Sequence, residues 1–400
     1  MRRIVLAIAA RLRDGLAQLL VWMPFLLTLL RRLVAGNRHI VVVGGHGGEA
    51  FDDNARAIAR YLRRDKGYLV VWAAGFPEVR ARARAAKLRT VRKGLPVAEL
   101  LLLIAHATIY SHSPRDVSPL LHRYLKWRVE VYLGHGVWGL KRVERRDTEE
   151  RAKFDLGITS SEREAELKHQ LIGGPFVATG LPKHDALVSR TAAKEETTAR
   201  LLYAPTWRDW LQHKASDRAI ALQLSGIPAL AAALPPKDPL GREIKVTYLL
   251  HRNIRAIVEQ VSAACKKAGF EVAISNDIDV NQLLSRTDYL VTDYSAVFWD
   301  YIVQRKPAAR YVFDEDVYQK LTGGYAPIEA LTKPISFDDP SALTKFLFSE
   351  SAAAAAADLA EQMLPLADGR ACERVELAMS RLIAERAGKA KQSDKRVQHA

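Results

Sequence analysis

Cysteine is scarce in this sequence, with only Cys265 and Cys372 among 400 residues. Two isolated cysteines argue against a disulfide framework or a CxxC site, and they fit a reducing compartment. No HExxH motif, Ser-His-Asp order or paired-carboxylate motif stands out either, and no group of residues has the spacing of metal ligands. These absences argue against zinc hydrolases and catalytic-triad hydrolases.

The sequence also lacks an apolar run long enough to span a bilayer. Its charge-free N-terminal run, Gly15–Leu30, has 16 residues, whereas a spanning helix needs roughly 20. Two arginines follow the run where a secretory signal would need small residues. We interpret residues 1–36 as a helix lying in the membrane interface, with Trp22 and Phe25 inserted. A helix packed on the protein's own core and a true span are the alternatives.

Basic residues exceed acidic ones, 60 against 45, which gives a formal charge of +15. This excess suits an anionic partner, which includes nucleic acid, an anionic membrane surface or a phosphate-bearing substrate. Apolar residues make up 48% of the chain and charged residues 26%, a globular composition. A chain of this length is expected to form two domains.

Short apolar runs rich in β-branched residues alternate with helical stretches, a pattern typical of parallel βαβ units. The pattern predicts an α/β protein of two doubly wound domains, 37–195 and 196–385, joined by a polar linker at 189–200. The alanine-rich region 350–366 is predicted to be helical, and the basic tail 386–400 is expected to fray. Strands are predicted at 39–45, 68–74, 99–112, 129–136, 155–160, 175–180, 200–207, 245–251, 270–275, 288–293 and 308–314.

Two histidines stand at predicted strand ends, where open α/β sheets bind ligands. His135 lies between two glycines, with Lys141 six residues later, and His251 ends the strand at 245–251. A lone histidine is usually structural, but this setting favours a base or a phosphate contact. The glycine-rich stretch 44–54 is neither GxGxxG nor a Walker loop, and a plain turn explains it about as well as a ligand contact.

Hydroxyl and charged residues mark two further strand ends. Thr292 and Ser295 stand before a helix predicted at 295–303, where they could bond phosphate oxygens beside the first helical amides. Asp293 between them is either part of this site or a helix N-cap. Arg208 follows the strand at 200–207 and could clamp a phosphate. Together these residues suit the binding and reaction of a diphosphate.

Several stretches resemble the CDP-glycerol glycerophosphotransferase family, which includes wall teichoic acid primases and polymerases and capsule polymerases. They occur in family order as HGVWGLK, TGLPKHDAL, YAPTWRD, LLHRN and VTDYSAVFWDYIVQRKP, within residues 37–345. The resemblance implies a GT-B fold, which is two Rossmann-like domains facing across a cleft. It also implies transfer of a polyol phosphate, most simply glycerol phosphate, from a CDP-polyol to a hydroxyl of a lipid-linked glycan or polyol-phosphate acceptor, with release of CMP.

Residue by residue, the resemblance gives catalytic roles to His135 and His251 and donor-phosphate contacts to Thr292 and Ser295. The chain departs from the family pattern at Ala296, where a second serine is common, and at Arg310, where an apolar residue is usual. Both departures fall near the donor site, so they bear on which polyol is used.

The resemblance implies an anionic membrane surface as a partner, at the cytoplasmic face of the bacterial plasma membrane, and no nucleic acid. No cofactor is required by the sequence, although Mg²⁺ carried by substrate phosphates would leave no signature. Two alternatives remain: a nucleotide-sugar glycosyltransferase with the same fold, and a non-catalytic protein that binds membrane surfaces. The second leaves the strand-end histidines unexplained.

Overall fold

The structure is a computed structural model. It describes residues 23, 25–120, 127–142, 154–188, 197–206, 208, 217–251, 257–275 and 278–397. The predicted linker at 189–200 falls largely outside these residues, as does Trp22 in the N-terminal run. The boundaries proposed for the two domains remain a prediction.

Strands β1 to β7 form one parallel sheet, in the order β3-β2-β1-β4-β5-β6-β7. The interior strand β1 carries a run of β-branched residues, and its Val41 lies opposite Val70 of β2 and Ala107 of β4. Such continuous apolar strands suit a sheet that is covered on both faces. The strands are β1 His39–Gly44, β2 Tyr68–Ala74, β3 Arg89–Arg92, β4 Ala107–Tyr110, β5 Val129–Tyr132, β6 Leu156–Thr159 and β7 Phe176–Ala178.

A second parallel sheet has the order β10-β9-β8-β11-β12-β13. Its central strand β8 places Leu202 opposite Thr247 of β9 and Leu290 of β11. Both sheets therefore reverse their strand order beside the first strand, which is the point where doubly wound folds bind ligands. The strands are β8 Thr198–Ala204, β9 Glu243–Leu250, β10 Glu271–Ile274, β11 Tyr289–Thr292, β12 Ala308–Tyr311 and β13 Ser336–Phe337.

Helices cover both sheets and confirm the predicted α/β class. Those that follow strands of the first sheet are Asp53–Leu62, Pro77–Ala85, Pro96–Ile104, Glu162–Ile172 and Asp185–Val188. The later ones are Asp217–Ala233, Val258–Lys267, Val280–Arg286, Val297–Ile302, Glu315–Leu321, Ala326–Thr332, Pro340–Leu347, Glu350–Met363 and Ala371–Val397.

The strand predicted at 99–112 is wrong over its first half. Residues Pro96–Ile104 form a helix that begins with a proline in its first turn, and β4 occupies only Ala107–Tyr110. A continuous apolar run does not distinguish a buried strand from a buried helix by its period. Two local features favour the helix over the strand. One is the proline in the first turn, and the other is the run of four consecutive leucines.

The last helix, Ala371–Val397, packs against the first sheet although it follows the second sheet in the chain. Its side chains Val375, Met379 and Ile383 are buried in the same apolar cluster as residues of β1 and β2. Asp185 accepts hydrogen bonds from the amides of Ala371 and Cys372 at the helix start. The helix continues to Val397, so the expectation that the tail frays after 386 is wrong over 386–397.

A helix over 25–35 lies beside the helix Pro96–Ile104. Its Leu27 and Leu30 pack into the cluster that contains Leu102, and Arg31 donates to the carbonyl of Ile104. The opposite side is apolar and exposed: Phe25 is 60% accessible and Leu33 73%. One face of this segment therefore packs on the core, and the other is largely exposed. None of the described helices is both long and apolar enough to cross a bilayer.

Glu130 on β5 is a buried carboxylate that should make stability depend on pH. Burial raises its pKa to about 7, although Arg128 lies 3.0 Å away. The folded state therefore retains the proton above the usual glutamate pKa, about 4.3. Below a pH of about 4.3 this group makes its full contribution to the free energy of unfolding. The contribution falls as the pH rises from there towards 7.

We therefore predict that Glu130→Gln alters this pH dependence. Relative to the parent, the variant should become more stable as the pH rises from 5 to 7.5, which urea unfolding at both pH values measures. Glu259→Gln, an exposed substitution of the same kind, should leave the pH dependence unchanged. A stability difference between Glu130→Gln and the parent that does not change with pH would mean that Arg128 keeps the carboxylate ionised throughout.

Candidate active site

A cleft of about 1280 Å³ lies between the two sheets. Its walls include the loops that follow β1, β4 and β5 of the first sheet and β8, β9 and β11 of the second. These loops include both points of strand-order reversal. The volume exceeds that of most single-ligand pockets, which reach about 1,000 Å³. Two substrates can therefore occupy the cleft side by side.

His135 and Lys141 both line the cleft, in the loop after β5. The loop begins at Gly134, whose φ of +63° favours glycine, and the side chain of His135 is exposed to the cleft. At Gly136 a Cβ atom would lie 2.7 Å from the Cβ of Ala296 in the second half of the chain. The two halves therefore touch at this glycine, and a larger residue would push them apart.

Two further histidines extend in a row from His135, and neither was predicted as a site residue. The ring of His112 stacks on that of His135, with 4.5 Å between centroids and an angle of 7°. His46 follows in the row, 4.2 Å from His112. His46 comes after β1 and His112 after β4, so the strand-end rule would have selected them. His112 is also the last residue of the strand predicted at 99–112, so the rule already applied to it on the predicted bounds.

The loop that carries His46 has an uncommon backbone. His46 has φ +47° and Asp53 has φ +58°, the left-handed region that residues with a Cβ rarely adopt. Both residues line the cleft. Strain of this kind persists only where the surroundings enforce it, and it is concentrated at functional sites. The glycine-rich stretch 44–54 is therefore a wall of the cleft rather than a plain connection.

His251 and Ser295 line the opposite wall, with Thr206 and Tyr294. His251 directly follows β9, and Ser295 lies in the turn after β11. Ser295 Oγ accepts a hydrogen bond from the amide of Val297, the first residue of the helix Val297–Ile302. The position before this helix is Ala296, so Asp293 is not its N-cap.

Arg208, Thr292 and Asp293 lie beneath this wall and not in it. Arg208 is 1% exposed; its guanidinium makes two hydrogen bonds to Asp314, both 2.9 Å, and lies 2.8 Å from Asp293. Burial disfavours the charge of Arg208, but the two carboxylates outweigh it and raise its pKa above the usual value. Arg208 was predicted to bind a phosphate directly, but in the structure its guanidinium is buried and bonded to two carboxylates instead.

The two polar neighbours of Arg208 fix the strand ends of the second sheet. Thr292 Oγ1 donates to the carbonyl of Ala204 at 2.6 Å, which ties β11 to the end of β8. Asp293 accepts hydrogen bonds from the amides of Thr206 and Tyr294. Both side chains are fully buried. Their geometry supports the turn that carries Ser295 and does not present their own oxygens to a ligand.

Arg310, one of the departures from the family pattern, belongs to the same buried layer. Its guanidinium donates to the carbonyl of Asp293 at 2.7 Å and to Thr332 Oγ1 at 2.6 Å. Arg310 and Arg208 both lie over the ring of Tyr294, which is stacked at 3.5 Å on Tyr318. The arginine thus stiffens the floor of the cleft from below.

No cluster of three or more histidine, cysteine or acidic side chains suited to a metal ion occurs among the residues that the structure describes. Within that part of the chain, the polar groups at the cleft are imidazoles, hydroxyls, ammonium and guanidinium groups, carboxylates and the amide of Asn281. The chemistry they offer is proton transfer and hydrogen bonding to an anion.

The paired sheets and the cleft define a GT-B type protein, and comparison with solved structures supports this class. A wall teichoic acid polymerase, TagF, superposes with a TM-score of 0.66 at 17% identity, covering 94% of this chain and 98% of the other. A complex of MnaA from S. aureus with UDP gives a TM-score of 0.57 at 12% identity, over 84% and 94% of the two chains. Identities this low show the fold alone.

The chain belongs to the CDP-glycerol:poly(glycerophosphate) glycerophosphotransferase family, whose model matches residues 26–379. A teichoic acid poly(glycerol phosphate) polymerase of Bacillus spizizenii is 21% identical over 74% of this chain and 80% of its own length. A teichoic acid ribitol-phosphate primase of the same organism is 32% identical over 36% of this chain and 33% of its own length. A teichoic acid poly(glycerol phosphate) polymerase of Staphylococcus epidermidis is 29% identical over 42% of this chain. The match spans only 24% of the length of that polymerase.

The burial of Arg208 leads to a testable expectation. Arg208→Met leaves Asp293 and Asp314 buried without their cation, which should lower the free energy of unfolding by about 3–5 kcal/mol. Arg163→Met, on the exposed side of a helix, should change it by no more than about 0.5 kcal/mol. Denaturant unfolding measures both. A variant at Arg208 that unfolds like the parent yet loses activity would instead restore the predicted phosphate contact.

Proposed function

We propose that this protein transfers a polyol phosphate, most simply glycerol phosphate, from a CDP-polyol to a hydroxyl of a lipid-linked acceptor in the synthesis of a teichoic-acid-like or capsule polymer. The observation that carries the proposal is that His135 and His251, at strand ends of two different sheets, line one cleft with Ser295. Membership of the glycerophosphotransferase family supports the same chemistry.

In the proposed reaction the acceptor oxygen attacks the β-phosphorus of the CDP-polyol. A new phosphate ester bond forms, the phosphoanhydride bond breaks, and CMP leaves with the electron pair. His135 accepts the proton of the attacking hydroxyl, because imidazole titrates near neutral pH and this side chain is open to the cleft. The acceptor then lies along the first sheet, next to the row formed by His46, His112 and His135.

Charge on the departing CMP is stabilised from the opposite wall. His251 and Ser295 supply hydrogen bonds and positive charge there, together with the backbone amides of the turn 294–296, and Lys141 adds positive charge from the wall that carries His135. Arg208, Thr292 and Asp293 act indirectly, by fixing that turn from beneath. Mg²⁺ enters, if at all, with the phosphates of the substrate.

The test is the product formed by the purified protein and its His135→Ala variant. We predict CMP release from CDP-glycerol or another CDP-polyol, with turnover lowered roughly 10²-fold in the variant and the KM for donor little changed. Coupled detection of CMP across a panel of CDP-polyols and nucleotide sugars measures this. Release of a nucleoside diphosphate from a nucleotide sugar would favour the glycosyltransferase alternative, and full activity of His135→Ala would remove that residue from the mechanism.

We further propose that the protein docks on the cytoplasmic face of the bacterial plasma membrane as a peripheral protein. The support is the exposed apolar face of the helix over 25–35, together with the exposed side chains of Val97 and Leu100 on the adjoining helix Pro96–Ile104. The net charge of +15 complements an anionic leaflet. Each basic residue near such a surface contributes about 1 kcal/mol, and apolar insertion adds a part that salt does not screen.

Membrane docking predicts a specific pattern of vesicle binding. The protein should sediment with vesicles containing anionic lipid, and high salt should release it only in part. The double change Leu29→Glu and Leu33→Glu, on the exposed face, should release it while CMP formation on a soluble acceptor persists. Leu377→Glu, an exposed leucine on the last helix, is the matched control. Equal sedimentation of all three proteins would place the membrane contact elsewhere.

A further inference from the structure

The segment Gly180–Leu187, GLPKHDAL, has no part in the mechanism proposed above, yet its polar residues are buried and bonded. It follows β7 at the edge of the first sheet and contains the short 3-10 helix Pro182–His184. Lys183 and His184 are 4% and 1% exposed. Lysine is almost never buried this completely without specific partners.

The partners of Lys183 come from both halves of the chain. Its ammonium nitrogen lies 2.8 Å from Asp300 Oδ2, 3.1 Å from Asp53 Oδ1 and 2.9 Å from the carbonyl oxygen of His135. An ammonium group has three N–H donors, so these three acceptors use all of them. His184 Nε2 lies 2.8 Å from the other oxygen of Asp300.

The charges of this cluster stabilise one another. Burial by itself disfavours the ammonium group, but Asp300 and Asp53 outweigh it and raise the pKa of Lys183 above its usual value. Burial also opposes ionisation of Asp300, but Lys183 and His184 hold its pKa below the usual value. Lys183 and Asp300 are therefore an ion pair throughout the neutral pH range.

Asp300 connects this cluster to the opposite wall of the cleft. It belongs to the helix Val297–Ile302, which follows directly on the turn 294–296 that lines the donor side. At the same place Ala296 meets Gly136, next to His135. One ammonium group thus holds the backbone of the candidate base and, through a single carboxylate, the helix that carries the donor-binding turn.

A second tie acts on the loop of His135. Asn54 donates from Nδ2 to the carbonyl of Gly134 at 3.2 Å and accepts from the amide of Lys183 at 3.1 Å. The carbonyls of two consecutive residues, 134 and 135, are therefore fixed by buried side chains. The candidate base His135 therefore has the peptide groups before and after it fixed by hydrogen bonds.

We propose that Lys183 is a positioning residue that sets the distance between His135 and the donor-binding turn 294–296. The proposal rests on the function proposed above, in which His135 is the base and the turn binds the donor phosphates. Since a displacement of about 1 Å between reacting groups can cost 10²-fold in rate, the Lys183–Asp300 ion pair acts on turnover rather than on donor affinity.

The test is a double-mutant cycle between Lys183→Met and His135→Ala, with kcat and the KM for CDP-polyol measured for each protein. In the parent background, Lys183→Met should lower kcat by about 10-fold or more, with KM changed less than about threefold. In the His135→Ala background it should lower kcat by less than about twofold, because no base remains to be positioned.

Two further variants separate positioning from folding. Arg56→Met removes another ion pair between the halves, with Asp279 at 2.6 Å, and measures what such a loss costs without touching the carbonyl of His135. Asp300→Asn has the size of the native residue and leaves Asp53 paired with Lys183. It therefore provides the same cycle if Lys183→Met does not fold, with a smaller but equally His135-dependent loss of kcat.

Additive losses, with kcat falling by the same factor in both backgrounds, would overturn the proposal and leave the cluster a purely stabilising contact. A loss in Lys183→Met no larger than that in Arg56→Met would overturn it as well. Full activity of His135→Ala is a different failure, since it removes the base itself and with it the function assigned to this cleft wall.

Discussion

The direct contact between the two halves at Gly136 and Ala296 is the constraint on which the cleft depends. Parallel sheets present their carboxyl ends at one edge, but two such edges make a single site only when they face each other at a fixed distance. Here Gly136, which has no side chain, lets the methyl group of Ala296 approach closely, and this contact limits how near the two edges can come. Everything that lines the cleft, from the histidine row to Ser295, is arranged around this contact.

The layer beneath the second wall of the cleft is held together by buried charged side chains. Arg208 pairs with Asp293 and Asp314, and Arg310 donates to the backbone carbonyl of Asp293 and lies over the ring of Tyr294. Buried ions are costly unless every donor and acceptor is used, so such a layer tolerates few rearrangements. This makes the second wall rigid, whereas the first wall is built from loops that carry the partly exposed rings of the histidine row.

Much of this fold follows from the sequence, because period and β-branched content mark most strands and the strand-end rule selects the cleft. The fold brings four of the predicted site residues to one cleft, as expected: His135, Lys141, His251 and Ser295. Arg208 could not be distinguished from a ligand contact, because its carboxylate Asp314 is 106 residues away and only the folded chain brings them together. The helix within 99–112 was missed because the local period is ambiguous, whereas His112 was overlooked although it ends the predicted strand. The partners of Lys183 were equally out of reach, since Asp300 lies 117 residues further along.

The return of the last helix to the first sheet has a consequence for synthesis on the ribosome. Residues 37–188 are made first, but the surface that Val375, Met379 and Ile383 cover stays bare until 371–397 have emerged. Domains usually complete their folding in the order of translation. In this chain the earliest half must instead wait, with apolar surface open, for the final segment. A nascent chain stalled after residue 370 would therefore be a substrate for chaperones, even though all the strands described here would already have been translated.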